Sequence, residues 1–140
     1  MNSLPANSPS WFTEIISEKG GILSFYDYMN IALNNPTNGY YGSGKAKIGQ
    51  NGDFVTSPSL SDDFSHLLAI QLEEWILQIK NKLNLKKRIT VLEFGSGKGC
   101  LLGGIINYFL NKNSQILNDI SFKIIDLNEG MIEIQKINLK

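Results

Sequence analysis

The stretch from Ile89 to Asp126 constrains this chain more than any other. It opens with Ile89-Thr90-Val91-Leu92-Glu93-Phe94, a short apolar, β-rich run of the kind that forms a buried strand. Glycine then stands at every second position, Gly95, Gly97 and Gly99, ahead of a helical pattern from about Cys100 to Leu110. A polar connector, 111–118, leads to a second apolar run, Phe122 to Ile125, which ends in Asp126. A last helix is expected over roughly Glu129 to Leu139. This order opens a parallel, doubly wound α/β sheet, a Rossmann-like fold. Right-handed crossover pairs the two strands side by side, with the helix between them on one face. Two parallel strands do not complete such a sheet, so either other segments complete it or, the reading favoured here, the fold is incomplete and this is the N-terminal part of a longer protein.

Residues 1–88 read as a helical and glycine-rich loop region, and 89–140 as the start of the Rossmann-like domain. Ser10 is placed to cap a helix from Trp11 to about Glu18, closed by Gly20-Gly21, with Phe12, Ile15 and Ile16 on its apolar face. Ser24 opens a second helix, with Asp27 three residues on. Its apolar positions, Phe25, Tyr28, Met29, Ala32 and Leu33, recur at helical spacing until Asn34-Asn35-Pro36 ends it. Residues 37–60 are glycine-rich without a sustained period, which reads as a long ordered loop of the functional kind. Ser61 then caps a long helix to about Leu83, with Phe64, Leu67, Leu68, Leu72, Trp75, Ile76, Ile79 and Leu83 as one stripe. The Lys86-Lys87-Arg88 run reads as a solvated connector.

Charge narrows the function classes. The 13 basic residues balance 13 acidic ones, so the basic excess of a nucleic-acid binder is missing. Arg88 is the sole arginine, which leaves little for bidentate clamping of phosphate. The single cysteine, Cys100, has no partner for an internal disulfide or a zinc cluster. The start, Met-Asn-Ser-Leu-Pro-Ala-Asn-Ser-Pro, lacks the cationic and apolar regions of a signal peptide, and no apolar run approaches the length of a membrane span. The expectation is a cytoplasmic protein without nucleic-acid or membrane partners, its oligomeric state open and no metal site in view.

Glycine and lysine together suggest a phosphate loop, and the tetrapeptide GSGK occurs twice, at 42–45 and at 95–98. The first copy fits the front of G-x-x-x-x-G-K-[ST] through Gly39, Gly44 and Lys45. Ala46 then stands where the magnesium-binding hydroxyl belongs, and no apolar strand precedes Gly39. The second copy has a strand before it and a helix after it. A phosphate loop would need glycine in place of Leu92 and a hydroxyl in place of Gly99, and a dinucleotide fingerprint would need glycine in place of Cys100. What stands there is Glu93-x-Gly95-x-Gly97-x-Gly99, in which Lys98 reads as incidental.

That pattern has a ligand chemistry. Glycines let the backbone turn sharply and let a ligand approach without meeting a Cβ. The helix start favours an anionic group such as an α-carboxylate. Glu93 is placed to meet an amine, and Asp126, at the next strand end, to accept from ribose hydroxyls. A ligand with an amino-acid end, a ribose and no phosphate is implied, and S-adenosylmethionine (SAM) fits it.

The upstream half sharpens this reading. Pro36-Thr37-Asn38-Gly39-Tyr40-Tyr41, then Ile48-Gly49-Gln50-Asn51-Gly52-Asp53-Phe54-Val55-Thr56-Ser57-Pro58, then the glycine motif, resembles the MidA-like family of class I SAM-dependent methyltransferases. The resemblance covers roughly 14–138. It implies a Rossmann-like methyltransferase fold, SAM as methyl donor and, as in the family's mitochondrial members, a protein arginine side chain as acceptor. It also implies that Glu93, Gly95, Gly97, Gly99 and Asp126 bind cofactor. The chain departs from the family pattern in having Ser96 for proline, Ser59 for glutamate and Asn128-Glu129 for a Ser-Pro pair.

Asp53 is the candidate catalytic residue, expected near the transferring methyl or the target amine, with a turn-forming role as its structural alternative. Tyr40, Tyr41 and Phe54 would line the mouth of the site or pack under the loop. His66 is expected on the polar side of the long helix, and Cys100 as a small buried residue. Two rival readings stand beside the enzyme: a nucleotide-binding Rossmann fragment, and a non-catalytic interaction module.

Overall fold

A computed structural model of the chain describes residues 8–140. The stretch 1–7, which holds most of the start read above as lacking a signal peptide, lies outside the described residues. Among the described residues, six α-helices and two strands follow one another: α1 (Ser10–Glu18), α2 (Phe25–Asn34), α3 (Ser57–Leu60), α4 (Asp63–Leu83), β1 (Ile89–Phe94), α5 (Cys100–Asn111), β2 (Ile120–Ile125) and α6 (Glu129–Asn138). A single 3₁₀ turn, Gln115–Asn118, leads into β2. None of the described helices is long and apolar enough to cross a membrane.

The chain clusters into two compact units. The first runs to Ala46 and takes in Leu127–Met131. Within it, Pro9 rather than Ser10 precedes α1, so Ser10 lies inside the helix and caps nothing with its side chain. The Ser10 carbonyl instead accepts the Thr13 hydroxyl at 2.7 Å. Gly20 and Gly21, both at φ +83, end the helix as expected. Ser24 caps α2 by accepting the Asp27 amide at 3.1 Å. The apolar stripe expected to bury α2 is not buried: Phe25, Tyr28 and Met29 are exposed. Between α1 and α2, the Phe12 ring lies edge-on to Tyr28 at 5.4 Å.

The second unit, Lys47–Asp126 with Ile132–Lys140, holds the main core. Ala69 and Ile76 of α4 pack with Ile105 and Phe109 of α5 and with Ile116 and Ile120. The long helix begins at Asp63, not after Ser61, whose hydroxyl contacts Asp63 instead. Its expected stripe is only half right. Leu68, Leu72 and Ile76 face the core, whereas Phe64, Leu67, Trp75, Ile79 and Leu83 are exposed. Close approach of α4 to α5 selects the small residues, Ser65 beside Gly104 and then Ala69, so the bulky side chains turn outward. His66 stacks obliquely on Tyr108, 5.2 Å between ring centroids, instead of facing solvent alone.

β1 and β2 pair in parallel in the register Ile89↔Ile120 through Phe94↔Ile125. β2 starts two residues earlier than expected, at Ile120. Both strands alternate, so the expectation of a run buried throughout is corrected. Ile89, Val91 and Glu93 point to the covered side, while Leu92 and Phe94 are exposed on the other. The residues of the opposite face, Thr90, Leu92, Phe94, Lys123 and Ile125, are exposed. Lys80 and Asp119 form an ion pair, and the Ser114 hydroxyl donates to Glu73 at 2.7 Å. Both contacts tie α4 to the connector before β2. Lys86, Lys87 and Arg88 are exposed as expected, with Arg88 Nε donating to the Asn118 carbonyl at 2.9 Å.

Candidate functional site

The glycine loop begins where the sheet stops. Gly95 extends the parallel ladder by one bond, its amide donating to the Ile125 carbonyl at 2.9 Å. The chain then turns through three left-handed residues, Gly95 (φ +62), Gly97 (φ +56) and Gly99 (φ +83), a conformation that costs any residue with a Cβ. The Gly99 amide closes this turn on the Ser96 carbonyl at 2.9 Å, and Gly99 is the residue from which α5 departs. Cys100, expected to be buried at this helix start, is exposed.

Glu93 lies in the last turn of strand pleat before the loop, on the covered side of the sheet. Half-burial there raises its carboxyl above the ordinary value of 4.5. The Ser96 side chain and the Leu102 backbone in the first turn of α5 pull it partly back. Glu93 Oε2 and Ser96 Oγ are nonetheless both buried without completing a hydrogen bond of ordinary geometry. A buried carboxylate oxygen and a buried hydroxyl, both unsatisfied beside a loop of glycines, form a site that favours a cationic or hydrogen-donating group.

Asp126 follows the last residue of β2, so both carboxylates stand at the carboxyl ends of neighbouring parallel strands. Ligands in open α/β sheets bind outside those ends. Gln135 of α6 connects the two halves. Its Nε2 donates to Asp126 Oδ2 at 2.8 Å and to the Gly97 carbonyl at 2.9 Å. Asn138, one turn further on, donates to the Lys98 carbonyl at 2.9 Å.

Asp53 is exposed and arrives on a tight loop: its amide donates to the Lys47 carbonyl at 2.7 Å, and Ile48 bridges Phe54. Lys98 fastens this loop to the glycine turn by donating from Nζ to the Ile48 carbonyl at 2.6 Å. Lys98, read from sequence as incidental, is thus the link between the two glycine-containing segments of this unit. Glu93, the glycines and Asp126 form one cluster, and the Asp53 loop is tied to it through Ile48 and Lys98.

Gln135 and Asn138 were not among the residues nominated from sequence. A signal for them existed. Met131, Gln135 and Asn138 share one face of α6, and Met131 and Gln135 are buried there, so an amide occupies a core position.

Residues 67–140 match the sequence model of a family described as S-adenosyl-L-methionine-dependent methyltransferases. The mitochondrial protein arginine methyltransferase NDUFAF7 of Bos taurus is 37% identical over 85% of this chain, and that of Homo sapiens 34% over 85%. In each case the match covers 26% of the relative, so the chain spans about a quarter of the length of these curated proteins. Among solved structures, a Burkholderia thailandensis protein regarded as a methyl transferase, crystallised with S-adenosyl-homocysteine, superposes with a TM-score of 0.68 at 28% identity. That match covers 98% of this chain and 36% of the other. The fold is that of the first part of a Rossmann-like methyltransferase.

Proposed function

Because the chain belongs to the S-adenosyl-L-methionine-dependent methyltransferase family, we propose that it forms the cofactor-binding part of an enzyme that transfers a methyl group from SAM to a protein arginine side chain. One observation carries the cofactor half: two carboxylates at adjacent strand ends beside a left-handed glycine loop, with Asp126 joined to that loop by Gln135. The acceptor half is supported by the name that the mammalian relatives carry.

In this reading Glu93 faces the cofactor's amine, which meets the unsatisfied Oε2, and Asp126 accepts from the ribose hydroxyls. Gly95, at which an added Cβ would meet no atom within 4 Å, leaves room for the methionyl part. The bound cofactor supplies an electrophilic methyl on a positively charged sulfur. The Asp53 carboxylate would orient the incoming guanidinium by charge, so that its nitrogen lies in line with that methyl. As the nitrogen gains the methyl it must release a proton, and an exposed carboxylate can pass that proton to water.

Calorimetric titration with SAM, S-adenosyl-homocysteine and NAD tests the cofactor reading. The two sulfur ligands should bind and NAD should not. A folded protein that binds neither sulfur ligand would return the assignment to a non-catalytic module. Transfer of radiolabelled methyl to arginine-bearing protein tests the acceptor, with Asp53→Asn expected to lower turnover by at least about 100-fold while leaving cofactor affinity within about threefold.

A further inference from the structure

We propose that Gln135 is a positioning residue of the cofactor site, fixing the ribose-binding carboxylate and the methionyl-binding loop at once through a single side-chain amide. The inference rests on the cofactor reading above and adds a residue that the sequence motifs do not nominate.

Gln135 is only 4% exposed, on the face of α6 that Met131 also buries. Burying an amide is unfavourable unless its hydrogen-bonding groups are used. Both neighbours of Nε2, the Gly97 carbonyl and Asp126 Oδ2, are acceptors only, so the nitrogen must face them and both of its N–H groups are engaged. The two acceptors belong to different segments, the turn after β1 and the end of β2. A third element, α6, therefore sets their mutual geometry.

Each contact prepares a different part of the site. In a trans peptide the carbonyl and the following N–H point in opposite directions. Holding the Gly97 carbonyl toward α6 turns the Lys98 amide away from it, where it can donate to an anionic end of a ligand. Asn138 restrains the next carbonyl from the same helix face. Holding Asp126 by Oδ2 fixes the plane of its carboxylate before a ribose arrives, so less side-chain freedom is lost on binding.

The test is calorimetric titration of S-adenosyl-homocysteine into the protein, its Gln135→Met and Asp126→Ala variants and the double variant. Methionine keeps the length of glutamine and removes both donors. Gln135→Met should weaken binding about tenfold, or about 1.4 kcal/mol. In the Asp126→Ala background the same change should cost no more than about threefold, because part of the contact is already gone. Equal losses in both backgrounds, or unchanged affinity, would overturn the proposal. A folded wild-type protein that does not bind the ligand would overturn the cofactor reading instead. A measurement on the unmodified protein guards against variants that do not fold. The Gln135 side-chain amide resonances should shift on adding S-adenosyl-homocysteine, and resonances unmoved at saturation would sink the idea.

Discussion

The chain writes GSGK twice and folds the two copies in opposite ways. At 42–45, Gly42 is buried, with the backbone of Asn34 and Asn35 where a side chain would stand, and Gly44 (φ +69) rests on Gly130. At 95–98, Gly95 faces open space, and a Cβ on Gly97 would come no nearer than 3.5 Å to Ile48 Cδ1. The lysines differ as well: Lys45 is exposed, and Lys98 reaches the Ile48 carbonyl. Glycine in the first copy lets the chain approach itself. In the second it leaves room for something that is not the chain.

The largest effect expected from this contrast is at Gly42. Gly42→Ala forces a methyl into the Asn34–Asn35 backbone and should destabilise the fold by about 3 kcal/mol, the upper range for overpacking, read by thermal unfolding. A loss below about 1 kcal/mol would mean that the first loop yields, and the contrast would weaken. Gly95→Ala should cost less stability, about 1–2 kcal/mol for a left-handed residue with a Cβ. Its mark should be on binding, with affinity for S-adenosyl-homocysteine down at least about tenfold. Wild-type affinity in that variant would break the comparison outright.

The lysines give a matched pair. Lys98→Met should speed amide exchange across 47–54 and cost about 1 kcal/mol, whereas Lys45→Met should change neither.

The smallest effect concerns pH. Glu93 holds its proton more tightly folded than unfolded, so its contribution is most favourable below the unfolded value of 4.5 and declines as pH rises through the raised folded value. Glu93→Gln should remove that decline in melting temperature as pH rises above the unfolded value of 4.5, while weakening cofactor binding. If the variant's melting temperature follows pH as the wild type does, Glu93 is not the group responsible.

The strand–glycine–helix pattern was legible because its parts are neighbours along the chain. Strand, glycines and helix follow one another from Ile89 to Asn111, and the register that sets Glu93 opposite Ile124 also brings Asp126 to the same sheet end. Side-chain partners across the unit were not legible. Helix α4 is apolar on more than one side, so periodicity chose Phe64, Leu67 and Trp75 along with Ile76, and packing kept Ile76 but took Ser65 and Ala69 in place of the others. Lys98 looked idle because its acceptor, Ile48, lies far away in sequence.

Sequence alone determined that a glycine turn lies between a strand and a helix with carboxylates at positions 93 and 126, since backbone conformation and strand order depend on near neighbours. Only the tertiary structure decided that Gln135 joins those halves and that Lys98 ties down the Asp53 loop. The physical reason is reach and direction. A side-chain hydrogen bond forms within about 3 Å and only along its donor axis, and the fold brings donor and acceptor to that distance.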